Sequence, residues 1–160
     1  MNETNYTLEI TPTKSHCPVG ETYGGKCLAK GKVPVLSCEG ACIRGEIARR
    51  AANLVAREGP YRRACHGELF AVPDSAMAHW VKEAQQVVLI DGCFLRCHGR
   101  ILEQMIPAER LVQFDALSHY KRYTDRFDSD AIPAAELDST AREVADWVLT
   151  GLQEGPRTPE

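Results

Sequence analysis

Hydrophobic and polar positions alternate along this chain between two periods. Residues 33–38, Val-Pro-Val-Leu-Ser-Cys, form a short apolar run bounded by Gly31 and Gly40, the length and composition of a buried strand; Pro34 sits near its start, where a missing N–H is tolerated. Beyond Gly40 the period changes to that of a helix. Ile43, Ile47, Ala48, Ala51, Leu54 and Val55 form one stripe, Arg44, Glu46, Arg49, Arg50 and Arg57 take the opposite face, and Gly59-Pro60 stops the helix. Residues 61–65 predict a second strand from their place between helices, followed by a loop through Glu68, Val72 and Pro73. Asp74 or Ser75 caps a helix with Met77, Trp80, Val81 and Ala84 facing inward. Residues 86–91 are the clearest strand, a β-branched and apolar run as expected for a parallel strand covered on both faces. A helix from about Arg96 is expected to bury Ile101, Leu102 and Met105, and residues 111–115 predict a fourth strand. Leu137, Ala141, Val144, Ala145, Val148 and Leu152 stripe a closing helix that ends by Gly155.

The alternation βαβαβαβα predicts an α/β domain of three layers, a four-stranded, mostly parallel sheet with helices on both faces. Residues 1–32 read as an irregular arm, because 11–31 are rich in Pro, Gly, Lys and Thr without periodicity; 33–153 hold the α/β domain, and 154–160 a flexible tail.

Length and charge narrow the picture. One domain suits 160 residues, and 19 basic against 22 acidic residues give a net charge of -3, which excludes bulk attraction to nucleic acid or membranes. The polar first fifteen residues lack the pattern of a secretory leader, and no apolar run reaches the length of a membrane span, so a cytoplasmic location is expected. Seven cysteines in such a chain point to metal binding or thiol chemistry rather than a disulfide framework.

The placement of the cysteines carries the chemistry. Cys38, Cys65 and Cys93 are separated by 27 and then 28 residues, about one strand-helix unit, so each falls at the C-terminal end of a strand. Those ends lie side by side along one edge of a parallel sheet, where ligand sites commonly form, and the strand order 2-1-3-4 is preferred because it makes the cysteine-bearing strands neighbours. Cys97 follows Cys93 by four residues, and Cys42 repeats that spacing after Cys38. Helix starts favour thiolate over thiol, adjacent thiolates repel without a cation, and four of them satisfy one tetrahedral zinc at about 2.3 Å.

Ser37-Cys38-x-Gly40, the isolated Cys65 and above all residues 88–97, Val-Leu-Ile-Asp-Gly-Cys-x-x-x-Cys, resemble the DGC family of zinc-binding proteins, named for its Asp-Gly-Cys motif. The likeness runs from about residue 33 to 117. It implies that Cys38, Cys65, Cys93 and Cys97 are the zinc-chelating residues. Cys42, and the histidines His66 and His98 that follow Cys65 and Cys97, depart from the family pattern and leave the ligand set open to exchange. Cys17 and Cys27 lie outside the shared stretch.

Other readings stand beside this one. Cys42 is an additional or substitute ligand, a redox partner for Cys38, or a packing residue. Asp91 is expected to accept hydrogen bonds from the turn and hold Cys93, and Gly40 and Gly92 to permit tight strand-to-helix turns. His16, His79 and His119 read as surface or core residues. The basic and aromatic residues from His119 to Tyr123, with Arg126 and Phe127, read as a solvated loop rather than a single-strand nucleic-acid surface. Three functions fit: a zinc protein whose closed site is structural or handles metal; a thiol-dependent redox or sulfur-transfer enzyme using Cys42 or Cys65; and an iron–sulfur or other soft-metal protein. A metal ion is the one partner the sequence implies, and no residue is assigned a catalytic role.

Overall fold

The computed structural model describes residues 5–155. Its first regular element falls within the stretch expected to be irregular: a helix, α1, spans Pro18–Ala29. Cys17 caps it, its Sγ accepting the N–H of Gly20 at 3.4 Å, and Pro18 opens it at a position where the N–H has no helical partner. The buried face of α1 is Gly20, Gly24 and Cys27, a stripe of small residues rather than of large apolar ones. That is why the periodicity of aliphatic side chains does not reveal it. A flexible tail was expected from 154, but Glu154 still belongs to the last helix; residues 156–160 lie outside the described residues.

Strand β1 (Val33–Ser37) leads into helix α2 (Ile43–Val55), and β2 (Tyr61–Arg63) into a short helix α3 (His66–Ala71), where a loop was expected. Six residues buried only through Leu69 leave too little pattern to read as a helix. Helix α4 (Ala76–Glu83) precedes β3 (Val87–Asp91), α5 (Cys97–Leu102) precedes β4 (Leu111–Asp115), and α6 (Ala116–Tyr120), a 3-10 turn at Ser129–Ala131 and α7 (Ala134–Glu154) complete the described chain. The α4 start is capped twice: Ser75 Oγ accepts the N–H of Ala78 at 3.1 Å, and Glu21 of α1 accepts that of Ala76 at 2.8 Å.

The four strands are parallel in the order β2-β1-β3-β4, the order preferred from the sequence because it makes the cysteine-bearing strands neighbours. Side chains alternate between the faces. Val35, Val88 and Ile90 join Ile43, Ile47, Ala51, Val144 and Val148 in a core beneath α2 and α7, while Leu36, Val87 and Leu89 face Met77, Trp80, Val81, Leu102 and Ile106 on the other side. All five residues of β3 are buried, so each large aliphatic there contributes about 1.5–3 kcal/mol of burial. In α5 the expectation holds in part. Leu102 is buried and Met105 partly so, but Ile101 is 47% exposed, and Ile106 takes the inward place as the chain leaves the helix. Trp80 closes the α4 side, its indole N–H donating to the Lys32 carbonyl at 2.7 Å.

Among the described residues no helix is long and apolar enough to cross a membrane.

Candidate metal centre

The neighbouring C-terminal ends of β2, β1 and β3 carry the candidate cysteines. Cys38 directly follows β1, and its N–H donates to the Ile90 carbonyl at 2.8 Å, fixing the end of β1 against β3. Its sulfur accepts the N–H of Gly40 at 3.4 Å. Burial pushes the Cys38 thiol up, and Asp91 and Cys42 add to that, while the N–H groups of Gly40 and Gly92 pull the other way. Cys42 is the N-cap residue of α2 with no side-chain capping bond, and its backbone bridges to Asp128. Cys65 occupies the equivalent position before α3, and Cys97 is the first residue of α5; both are exposed, whereas Cys38, Cys42 and Cys93 are half-buried.

The glycine of the Asp-Gly-Cys sequence has a reason other than the one expected. Gly92 is not in the left-handed region. A Cβ there would lie 2.9 Å from the carbonyl carbon and oxygen of Arg44 and 3.0 Å from the Gly45 nitrogen, so the turn after β3 rests directly on the first turn of α2. Gly45 makes the same demand from the opposite side, since its Cβ would fall 2.2 Å from the Gly40 oxygen. Three backbone segments, bearing Cys38, Cys42 and Cys93, are thus pressed together without intervening side chains.

Asp91 acts one step beyond the position expected of it. It is 1% exposed, and Oδ2 accepts the N–H of Gly99 at 3.2 Å rather than a donor in the turn at Cys93. The backbone N–H of His98 also lowers its pKa, but burial dominates and holds the carboxyl above its ordinary value. Asp91 therefore ties the end of β3 to the first turn of α5 and positions Cys97 and His98.

On the β2 side Arg63 plays the fastening role, donating to the Val35 carbonyl at 3.0 Å, to Ser37 Oγ at 3.1 Å and to Glu39 Oε1 at 2.9 Å. Burial lowers the Arg63 pKa, and Glu39 and Cys65 oppose that shift.

His66 and His98 meet, with ring centroids 4.7 Å apart and planes inclined by 60°. Burial, reinforced by His98 and Arg63, pushes His66 down to about 3, so its ring is neutral near pH 7. On the other face of the sheet Tyr120 is 3% exposed, and its hydroxyl, like Arg44 Nε, is buried without a hydrogen-bond partner. Burial raises its pKa; Arg44 opposes the shift, while Cys42 and Cys93 add to it. Tyr120 was not legible as a neighbour of the cysteines, because only the packing of α6 into the core beneath α2 and α7 brings it there.

The remaining candidates have structural places. Cys17 caps α1, and Cys27 is buried in it beside the Tyr23 hydroxyl. His79 is exposed with Nδ1 3.2 Å from Glu83, and His119 stacks on Trp147 with centroids 4.8 Å apart. Arg122 bonds Glu143 at 2.8 Å, so part of the basic and aromatic run is engaged within the fold.

The donors suit a borderline-soft ion: thiols on adjoining strand ends, one sulfur already accepting a backbone N–H, and a buried carboxylate oxygen, Asp91 Oδ1, without a partner. Among the described residues, however, no three His, Cys, Asp or Glu side chains stand close enough to hold an ion. The fold brings the backbones of the cysteine-bearing turns to one edge of the sheet.

One family model, described as the DGC domain, matches residues 34–142, a longer stretch than the motifs alone delimit. No curated protein and no solved structure matches the chain.

Proposed function

The chain belongs to the DGC domain family, and from that premise we propose that it is a zinc-binding protein in which Cys38, Cys65, Cys93 and Cys97 supply the ligands, with a structural or metal-handling role. The observation that carries this reading is the β2-β1-β3 adjacency, which sets the four cysteines on the turns of one sheet edge although they span 60 positions of sequence. Cys65 and Cys97 are exposed, and their side chains need to turn toward Cys38 and Cys93 for a common ion. Zinc supplies charge compensation for thiolates and a tetrahedral centre that joins the turns. Cys42 is a reserve ligand, close enough to Cys38 to raise its pKa. Seven free thiols accord with a reducing, cytoplasmic setting, and the metal ion is the partner proposed, with neither nucleic acid nor membrane.

Because binding and folding are coupled, Cys93→Ser should release zinc and lower the melting temperature of the zinc-loaded chain, read by elemental analysis and thermal unfolding. Unchanged metal content and unchanged melting would refute the assignment.

A further inference from the structure

A cavity of about 570 Å3 opens between α2 and α7, inside the roughly 300–1,000 Å3 range of small-molecule sites. Arg50, Asn53, Leu54 and Arg57 line it at helical spacing from α2 and the turn that follows, and Asp138, Ser139, Ala141 and Arg142 line it from α7. Three guanidinium groups thus share the cavity with one carboxylate. That carboxylate is already engaged: Asp138 Oδ1 accepts from Arg50 Nη1 at 2.7 Å, and Glu46 holds Arg50 from the other side at 2.6 Å. Arg57 and Arg142 have no ion-pair partner among the described residues.

An ordinary solvated helix face pairs its charges. Glu46 does this on α2 itself, three and four residues before Arg49 and Arg50. Toward the cavity the pairing stops, and the positive potential of Arg57 and Arg142 is focused between two helices. The floor is of another kind. Ala141 is fully buried and Leu54 partly so, both packed in the core beneath α2 and α7. Ser139 Oγ donates to the Glu136 carbonyl at 3.0 Å, so the chief donors left for a ligand are the two arginines and the Asn53 amide. Two guanidinium forks suit a phosphate group, which carries about −1.5 to −2 charge at neutral pH and three acceptor oxygens, better than a carboxylate with its single charge.

We propose that this groove binds a phosphate monoester: Arg57 and Arg142 clasp the phosphate, Asn53 donates to it, and the floor of Leu54 and Ala141 carries the organic body. Arg50, tied to Glu46 and Asp138, forms a fixed wall and keeps the one carboxylate of the cavity neutralised. The groove lies toward the far end of α2 from Cys42, which caps the start of that helix, and Arg57 stands about 20 Å along it at about 1.5 Å per residue. The site uses no cysteine and no metal, so it stands or falls separately from the four-cysteine reading.

The full chain is titrated with phenyl phosphate, inorganic phosphate and phenol by calorimetry at fixed ionic strength, slightly above neutral pH where the monoester is a dianion. In parallel, the side-chain Nε–H resonances of 15N-arginine-labelled protein are followed, with Arg57→Gln and Arg142→Gln assigning the two signals. Phenyl phosphate is expected to bind one to one and to shift Arg57 and Arg142, inorganic phosphate to bind the same place more weakly, and phenol to produce no response. Each glutamine variant should weaken phenyl phosphate binding by about tenfold or more, the loss of one charged hydrogen-bonding partner. Arg126→Gln, which removes an exposed charge outside the cavity, should leave the affinity unchanged. An equal loss in Arg126→Gln would reduce the effect to bulk charge and overturn the site. Unchanged affinity in both Arg57→Gln and Arg142→Gln would place the ligand elsewhere, the cysteine edge included, and overturn it too. Inorganic phosphate binding as tightly as phenyl phosphate would overturn the monoester in favour of free phosphate. Absence of heat and of arginine shifts in the wild-type chain would overturn the proposal outright, whether or not a variant folds, and would leave the zinc reading untouched.

Discussion

Replacing Gly92 by alanine tests how the Asp-Gly-Cys turn is built. The added methyl would sit 2.9 Å from the carbonyl carbon and oxygen of Arg44 and 3.0 Å from the nitrogen of Gly45, against about 3.5–4.0 Å for an unstrained carbon contact. Every one of these atoms is backbone, so no side chain can swing away; the β3–α5 turn and the start of α2 must part by about half an ångström. Overpacking of this kind costs about 1–3 kcal/mol. The smaller unfolded-state entropy of alanine returns about 0.4–1 kcal/mol, leaving a net loss of up to about 2.6 kcal/mol, centred on about 1–2 kcal/mol. For a chain of this length that is a fall in melting temperature of about 2–8 °C, measured by circular dichroism on the metal-free protein. The same separation moves the turn bearing Cys38 and Cys42 away from that bearing Cys93 and Cys97, so zinc affinity should fall as well. A variant that melts at or above the wild-type temperature would show that the glycine is needed for some other reason and that the close approach is not what holds the turns together.

Two neighbouring glycines in α1 should respond with opposite signs. Gly25 has nothing within 4 Å of an added Cβ, and Gly25→Ala should stabilise by about 0.5–1 kcal/mol; Gly24→Ala would press within 2.6 Å of the Met77 nitrogen in α4 and should destabilise, a contrast read from urea midpoints. Hydrogen bonds from Arg49, and then Arg50, hold Glu46 below its ordinary value of 4.5. A folded-state pKa below the unfolded one adds stability at higher pH that is lost as pH falls below about 4.5. Glu46→Gln should therefore be less stable than wild type near neutrality, and the gap should close in acid; a gap independent of pH would contradict the pairing.

The strands were legible because their signal is continuous. Residues 33–38 and 86–91 are apolar runs of strand length, and the near-equal spacing of Cys38, Cys65 and Cys93 reports the repeated strand-helix unit, from which the order 2-1-3-4 was preferred because it makes the cysteine-bearing strands neighbours. Helix α1 was hidden because its buried face is built from glycine and cysteine, whose burial follows from close backbone approach rather than hydrophobicity. Asp91 was legible as a turn-holding residue, but its partner was not, since the N–H it accepts belongs to Gly99, eight residues on. The contact of His66 with His98 depends on where α3 and α5 land after separate strands, which no local pattern encodes.

The central claim is that four cysteines from separate turns serve one zinc ion. Its most direct measurement is site-resolved alkylation by mass spectrometry, with and without a chelator, on protein whose metal content has been determined. Zinc-loaded chain should show Cys38, Cys65, Cys93 and Cys97 protected and released together on chelation, while exposed Cys17 labels throughout. Equal labelling of Cys65 and Cys97 before and after zinc removal, or an iron–sulfur chromophore in place of zinc, would contradict it.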